Sequence, residues 1–270
     1  MIKARTLRCL CTPTMRSVLI FVALLGLSAA SVLPEVVRNV LARESRVVNG
    51  VPATPGEFPY QGSLQLRSSH YCGCTILSAE WALTAAHCVY GNTAADYQIR
   101  VGTNQWASGG SVHAVASFEY HAGYQNFQYW PNDIAVVRVA TPFVIDNTLV
   151  GTTTLAADGS DVPSGTPAIV EGWGSVQYGG AVQPDLLRAD VSVVSDAECL
   201  AAFGEGPTAE MICAGGGGTG ICSGDSGGPL LVNGEQVGIT SWTRIPCAQI
   251  PAVWTQVSYF RQWIFDRTGV

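Results

Sequence analysis

From Phe58 to Thr255 the chain is written in short apolar runs cut apart by Gly, Pro, Asn and Asp. Gln61–Leu66, Cys74–Leu77, Gln98–Val101, Val112–Phe118 and Ile134–Val139 make a first series. Ala168–Glu171, Leu187–Val194, Glu210–Ala214, Gly228–Val232, Val237–Ser241 and Ala252–Thr255 make a second. Runs of this length at this spacing predict the strands of an all-β sandwich or barrel. Between the series, residues 141–167 are rich in Thr, Gly, Asp and Pro and read as the crossing between two halves. Only at the end does the period change. Val257, Phe260, Trp263 and Ile264 fall at helical spacing, which predicts a terminal helix over Val257–Arg267 packed on the body.

The N-terminus has a different grammar. Lys3, Arg5, Arg8 and Arg16 precede the apolar run Val18–Leu27, and the small residues Ser28, Ala29, Ala30 and Ser31 follow it. Basic, then apolar, then small is the order of a secretory signal peptide, here residues 1–31, and it predicts a secreted, extracellular protein. The apolar run is short for a bilayer span, so a retained anchor is the lesser alternative. With 13% charged and 47% hydrophobic residues in 270, disorder is excluded. From Val47 onward the chain has 7 basic residues against 18 acidic, a net of −11, with no lysine. Such a surface repels nucleic acid and anionic membranes, so neither is an expected partner.

Cysteine usage agrees with export. Cys9 and Cys11 precede the signal core; Cys72, Cys74, Cys88, Cys199, Cys213, Cys222 and Cys247 remain. In a secreted chain these read as disulfides whose connectivity spacing alone does not fix. No Cys-x-x-Cys pair recurs with zinc-ligand spacing, so no metal and no other cofactor is expected.

The chemistry is concentrated in Cys222-Ser223-Gly224-Asp225-Ser226-Gly227-Gly228-Pro229. A serine hydroxyl is a weak nucleophile until a base takes its proton. Upstream, Thr84-Ala85-Ala86-His87-Cys88 offers a base and Asn132-Asp133-Ile134 a carboxylate leading into a strand. Taken singly, each has an ordinary reading: a structural histidine, a turn aspartate, a tight glycine turn. Taken in the order His, Asp, Ser with these flanks, the chain from about Arg46 to the C-terminus resembles the trypsin/chymotrypsin-family serine endopeptidases.

The resemblance implies two six-stranded antiparallel β-barrels with the active site in the cleft between them and a short C-terminal helix. It implies His87 as general base, Asp133 as its orienting partner, Ser226 as nucleophile, and the Gly224 and Ser226 amides as oxyanion hole. His70, His113 and His121 lack such flanks and are assigned structural or surface roles. Implied disulfides are Cys72–Cys88, Cys199–Cys213 and Cys222–Cys247. Cys74 stands where the family usually has glycine and is left as a free buried thiol, a competitor for Cys88, or a link to a partner. Arg46-Val47-Val48-Asn49-Gly50 resembles the family's activation site, making residues 32–46 a propeptide and residues 47–270 the protease domain. Cleavage after Arg46, by an activating protease of basic specificity, would free an ammonium at Val47 to pair with Asp225.

The implied specificity pocket comprises Gly220 at the floor, Ser241, Trp242 and Thr243 on one wall and Ala252 on the other. Gly220 supplies no carboxylate for a basic substrate residue. Thr243 and Ala252 add bulk where glycine is usual, which resembles the elastase arrangement and predicts small to medium aliphatic preference. Residues 103–118, where some members bind calcium, contain no Asp or Glu. The expected function is thus a monomeric, secreted endopeptidase acting on protein or peptide substrates. The alternatives are chymotrypsin-like specificity, and a non-catalytic homologue that binds a partner.

Overall fold

The structure is a computed structural model that describes residues 47–127 and 129–270. The expected signal peptide and propeptide, with Arg46, lie outside the described residues.

Six strands close into a first barrel: β2 (Gln61–Leu66), β3 (Ser69–Ile76), β4 (Trp81–Thr84), β5 (Tyr97–Val101), β6 (Ser111–Tyr120) and β7 (Ala135–Val139). Their order is β2-β3-β4-β7-β6-β5, closed by antiparallel pairing of β2 with β5. The period of two is visible in β5, where Tyr97, Ile99 and Val101 point inward and Gln98 and Arg100 outward. Leu64, Ile76, Leu83 and Val136 complete this core.

The second barrel uses β9 (Pro167–Gly172), β10 (Leu187–Val194), β11 (Met211–Ala214), β12 (Pro229–Val232), β13 (Glu235–Trp242) and β14 (Ala252–Gln256). These run β10-β11-β14-β13-β12-β9, and the β9–β10 pairing closes the ring. Alternation in β10 sends Leu187, Ala189, Val191 and Val193 into the core beside Val170, Leu230 and Trp254. Two short strands pad the barrel: β1 (Val51–Pro52) on β10, and β8 (Thr154–Leu155), from the expected crossing, parallel to β13. Closure removes the open edges that would otherwise invite aggregation.

Among the described residues there are two α-helices, one between strands and one at the C-terminus. The sequence reading placed none at α1 (Asp196–Phe203). Its start is nonetheless coded: Ser195 and Glu198 form a reciprocal capping box. Its inner residues Cys199 and Phe203 pack on Met211 and Val253. At the C-terminus a turn of 3-10 helix over Val257–Phe260 precedes α2 (Arg261–Thr268). Val257, Phe260 and Ile264, the expected helical stripe, bury against the first barrel's core. The last segment thus ties the second barrel back to the first. Among the described residues no helix is long and apolar enough to cross a membrane.

Disulfides join Cys72 to Cys88, Cys199 to Cys213 and Cys222 to Cys247. Cys74 is free and fully buried. Its register partner in β2 is Gly62, where an added Cβ would lie 2.8 Å from the sulfur. Gly62 is therefore the space the sulfur occupies, and burial pushes the thiol's pKa up. Such a thiol is inert toward partners.

Candidate active site

Strands β4 and β7 pair with Thr84 opposite Ala135. The strands are antiparallel, so the residues after Thr84 and those before Ala135 leave the barrel at the same end. Three steps past Thr84 is His87, in a single 3-10 turn; two steps before Ala135 is Asp133. The Cys72–Cys88 bond fastens the histidine turn to β3.

Asp133 is buried and fully engaged. Its Oδ1 accepts the His87 backbone N–H at 2.9 Å, and its Oδ2 lies 2.7 Å from His87 Nδ1. The Ser241 hydroxyl donates to the same Oδ2 at 2.6 Å, and the Thr255 hydroxyl donates to the Asp133 carbonyl at 2.8 Å. A carboxylate at Nδ1 puts the ring proton there and makes Nε2, which lies 3.7 Å from the Cys88 sulfur, the acceptor nitrogen, the tautomer a general base needs. The ring of Trp130 stacks on His87 with centroids 4.4 Å apart.

Ser226 sits on the loop between Cys222 and β12. Its carbonyl accepts the Gly73 N–H of the first barrel at 2.7 Å. Gly227 is a point of close approach between the halves. A Cβ there would lie 2.2 Å from Thr84 Oγ1 and 2.4 Å from the Gly73 carbonyl, so only glycine lets the serine loop seat.

The Gly224 peptide is held from behind by His70. Ser63 Oγ is 2.8 Å from His70 Nδ1, and His70 Nε2 is 2.9 Å from the Gly224 carbonyl. For both to be hydrogen bonds, the serine donates to Nδ1 and Nε2–H donates to the carbonyl. Burial lowers the ring's pKa to about 4, opposed by the bond to Gly224, so it is neutral at physiological pH. His70 is thus a support of the loop and not a surface residue. His113 and His121 are structural: His113 is bonded to Ser111 and to the Thr141 carbonyl, and His121 packs on Phe260 and Trp263.

Asp225 lies under the same loop, wholly buried. It accepts the Gly174 N–H at 2.8 Å and the Cys222 N–H at 2.9 Å. Burial pushes its pKa up to about 7 in spite of those bonds. A Cβ at Gly172 or Gly174 would lie 2.2 Å and 2.3 Å from the carboxyl group. The Val47 side chain is buried in the second barrel's core, Gly220 N–H donates to the Val48 carbonyl, and Asn49 donates to the Gly218 carbonyl at 2.6 Å.

A cavity of about 190 Å³ opens beside Ser226. Ser241, Trp242 and Thr243 line it, as the sequence reading placed them; Gly220 and Ala252 do not. Ala252 lies in the barrel core in one apolar cluster with Ile221, and Ile221 faces the cavity. Trp130, Tyr178 and Ile245 are further lining residues. None of these carried a sequence signal, because loop residues meet across the cleft only once both barrels are folded. No lining residue is acidic. The Cys72, His87 and Cys88 side chains cluster within 4.8 Å, but both sulfurs are spent in a disulfide and offer no thiolate to a metal.

Two closed barrels with an Asp-bound histidine on a turn beside a serine loop define a serine peptidase of the chymotrypsin-like fold. The family model described as Trypsin matches residues 47–264. The chain belongs to this family and is a serine endopeptidase. It is 36% identical to trypsin epsilon of Drosophila erecta, covering 94% of this chain and 99% of that one. It is 37% identical to trypsin delta of Drosophila melanogaster, over 91% and 98% of the two chains. Among solved structures, a human heparin binding protein superposes with a TM-score of 0.75 at 26% identity, covering 83% of this chain and 97% of that one.

Proposed function

We propose that the protein is a secreted endopeptidase made as a zymogen, activated by cleavage after Arg46, with a preference for small to medium aliphatic residues before the scissile bond. Ser226 attacks the carbonyl while His87 Nε2 takes its proton. Asp133 holds the ring and stabilises the imidazolium. The Gly224 and Ser226 amides receive the oxyanion, an interaction worth on the order of 3 kcal/mol per donor. His87 then protonates the leaving amine, and water repeats the sequence on the acyl-enzyme.

The observation that carries the catalytic reading is the 2.7 Å contact of Asp133 with His87 Nδ1 across from the Ser226 loop. The zymogen reading rests on Asp225, a buried carboxyl with two N–H donors and no cation beside it among the described residues. A freed Val47 ammonium supplies that charge, a buried pair suited to switching. Signal residues 1–31 support secretion, and a monomer needs no added surface.

The specificity reading rests on a cavity lined by Ile221 and Thr243 and by no acid. Relatives that bear the name trypsin are a reason to include basic residues in the test. Heparin binding belongs to the name of the neighbouring structure; 7 basic against 18 acidic residues from Val47 onward argue against a polyanion here. The test is a peptide library cut by protein cleaved after Arg46. Turnover after Ala, Val or Leu is expected. Turnover confined to Phe and Tyr, or to Arg and Lys, would discard the aliphatic reading and keep the mechanism.

A further inference from the structure

A second cavity, of about 550 Å³, lies against the outer face of the second barrel and shares no lining residue with the one beside Ser226. A volume of that size suits a small organic ligand. Its base is strand β9, along which successive side chains alternate between faces. Ala168 and Val170 go to the barrel core, so Pro167, Ile169 and Glu171 share the outer face. Pro167 and Ile169 line the cavity, and Phe58, Tyr60 and Leu231 are its apolar walls. The Phe58 and Tyr60 rings meet edge to face with centroids 6.3 Å apart.

Glu171, the next residue along that face, is 2% exposed. Neither of its carboxyl oxygens has a hydrogen-bond partner among the described residues. A buried carboxyl in that state is costly unless a cation or donors answer it. The register puts Arg188 of β10 directly across from it. Arg188 is already spent: it donates to Glu57 at 2.9 Å and to Asp190, while its Nε has no partner. Glu57 and Asp190 both line the cavity, and no lining residue is basic. Three carboxyls thus stand around one guanidinium. Burial pushes the pKa of Tyr60 up, and the charges of Glu171 and Glu57 push it further, so the buried carboxyl acts on the cavity's own wall. Among the described residues the three acids do not converge closely enough to hold a metal ion. Aromatic faces beside unbalanced carboxyls select an organic cation instead.

We propose that this cavity is a binding site for a small hydrophobic amine, its apolar body against Phe58, Ile169 and Leu231 and its ammonium group directed to the cluster of Glu57, Asp190 and Glu171. The ligand brings the second positive charge that Arg188 alone does not supply. The site is separate from the catalytic cleft and needs no cleavage after Arg46.

The test is calorimetric titration of the full-length protein with three probes of similar shape and different charge: phenethylamine, phenethyl alcohol and hydrocinnamate. The amine is expected to saturate and to bind roughly tenfold more tightly than the alcohol, and the anion is expected not to bind. Ile169→Trp fills the cavity and should abolish amine binding. Asp190→Asn removes one exposed charge and should weaken the amine about threefold while leaving the alcohol unchanged. Because Asp190 is exposed, this second variant decides the matter even where Ile169→Trp fails to fold. Equal affinity for the three probes overturns the proposal, and so does an amine affinity unchanged in Asp190→Asn. No saturation by the amine up to about 10 mM overturns it as well.

Discussion

His87 and Asp133 come from the first barrel, Ser226 and Gly224 from the second, and the two halves are held in different ways. The first half is complete as folded. Asp133 is gripped by the His87 backbone and ring and by the Ser241 hydroxyl, and the histidine turn is tied down by a disulfide. The second half hangs on a carboxyl that burial pushes up to about 7 and that two amides alone do not compensate. On the proposed reading, one barrel holds a permanent base and the other a nucleophile loop whose order is conditional on charge. A zymogen is easily built from such a pair, since a single cleavage has to correct only one side.

The largest expected effect breaks the permanent half. Asp133→Asn leaves the packing intact but favours the wrong histidine tautomer, and kcat is expected to fall about 10⁴-fold with an unchanged melting temperature. A loss under tenfold would mean that Asp133 does not set the tautomer. Next comes the conditional half. Gly174→Ala pushes a methyl group into the Asp225 carboxyl, an overpacking of roughly 1–3 kcal/mol confined to the second barrel. The fraction of titratable active sites should drop while the low-field proton resonance of His87 persists; loss of both together would show the halves to be one unit.

His70 crosses the divide, reaching from the first barrel to the Gly224 carbonyl. His70→Phe is expected to lower kcat roughly tenfold with little change in KM, the scale of one hydrogen bond that positions an oxyanion donor. Its acid behaviour has a definite sign. The folded pKa is depressed to about 4 from 6.5, so the unfolded chain binds the proton first and wild-type stability falls as pH drops from about 6.5 toward 4. Melting curves of the variant should show a shallower slope over that window. Of similar size, Thr243→Gly should shift preference toward larger residues by about tenfold, read as the ratio of kcat/KM for Phe and Ala substrates.

The smallest effect concerns the precursor. Asp225 and Glu171 are both raised by burial, so the folded precursor retains protons that the unfolded chain releases. Its stability should therefore decline as pH rises from about 4 toward 7. Cleavage after Arg46 should flatten or reverse the Asp225 part of that slope. Identical slopes before and after cleavage would remove Asp225 from the switch.

Much of this was legible in the chain because it is local. Strand runs, the terminal helical stripe and the motifs around His87, Asp133 and Ser226 are each written in a few consecutive residues. The three disulfides came through family resemblance and not through spacing. What stayed hidden depends on contacts across long separations. His70 gains its role only because Gly224 lies over it. Ile221 faces the cavity from the loop before Cys222, while Ala252 on β14 packs in the barrel core. The α1 helix was readable in Ser195 and Glu198, but its capping signal is only four residues long and the helix behind it eight.

The most direct measurement of the central claim is labelling by a fluorophosphonate probe before and after cleavage at Arg46, with the site mapped by mass spectrometry. Weak labelling of the precursor, strong labelling at Ser226 after cleavage, and none in Ser226→Ala are expected. Equal labelling of precursor and cleaved protein would contradict the conditional second half. No labelling of correctly cleaved, folded protein would contradict the catalytic assignment itself.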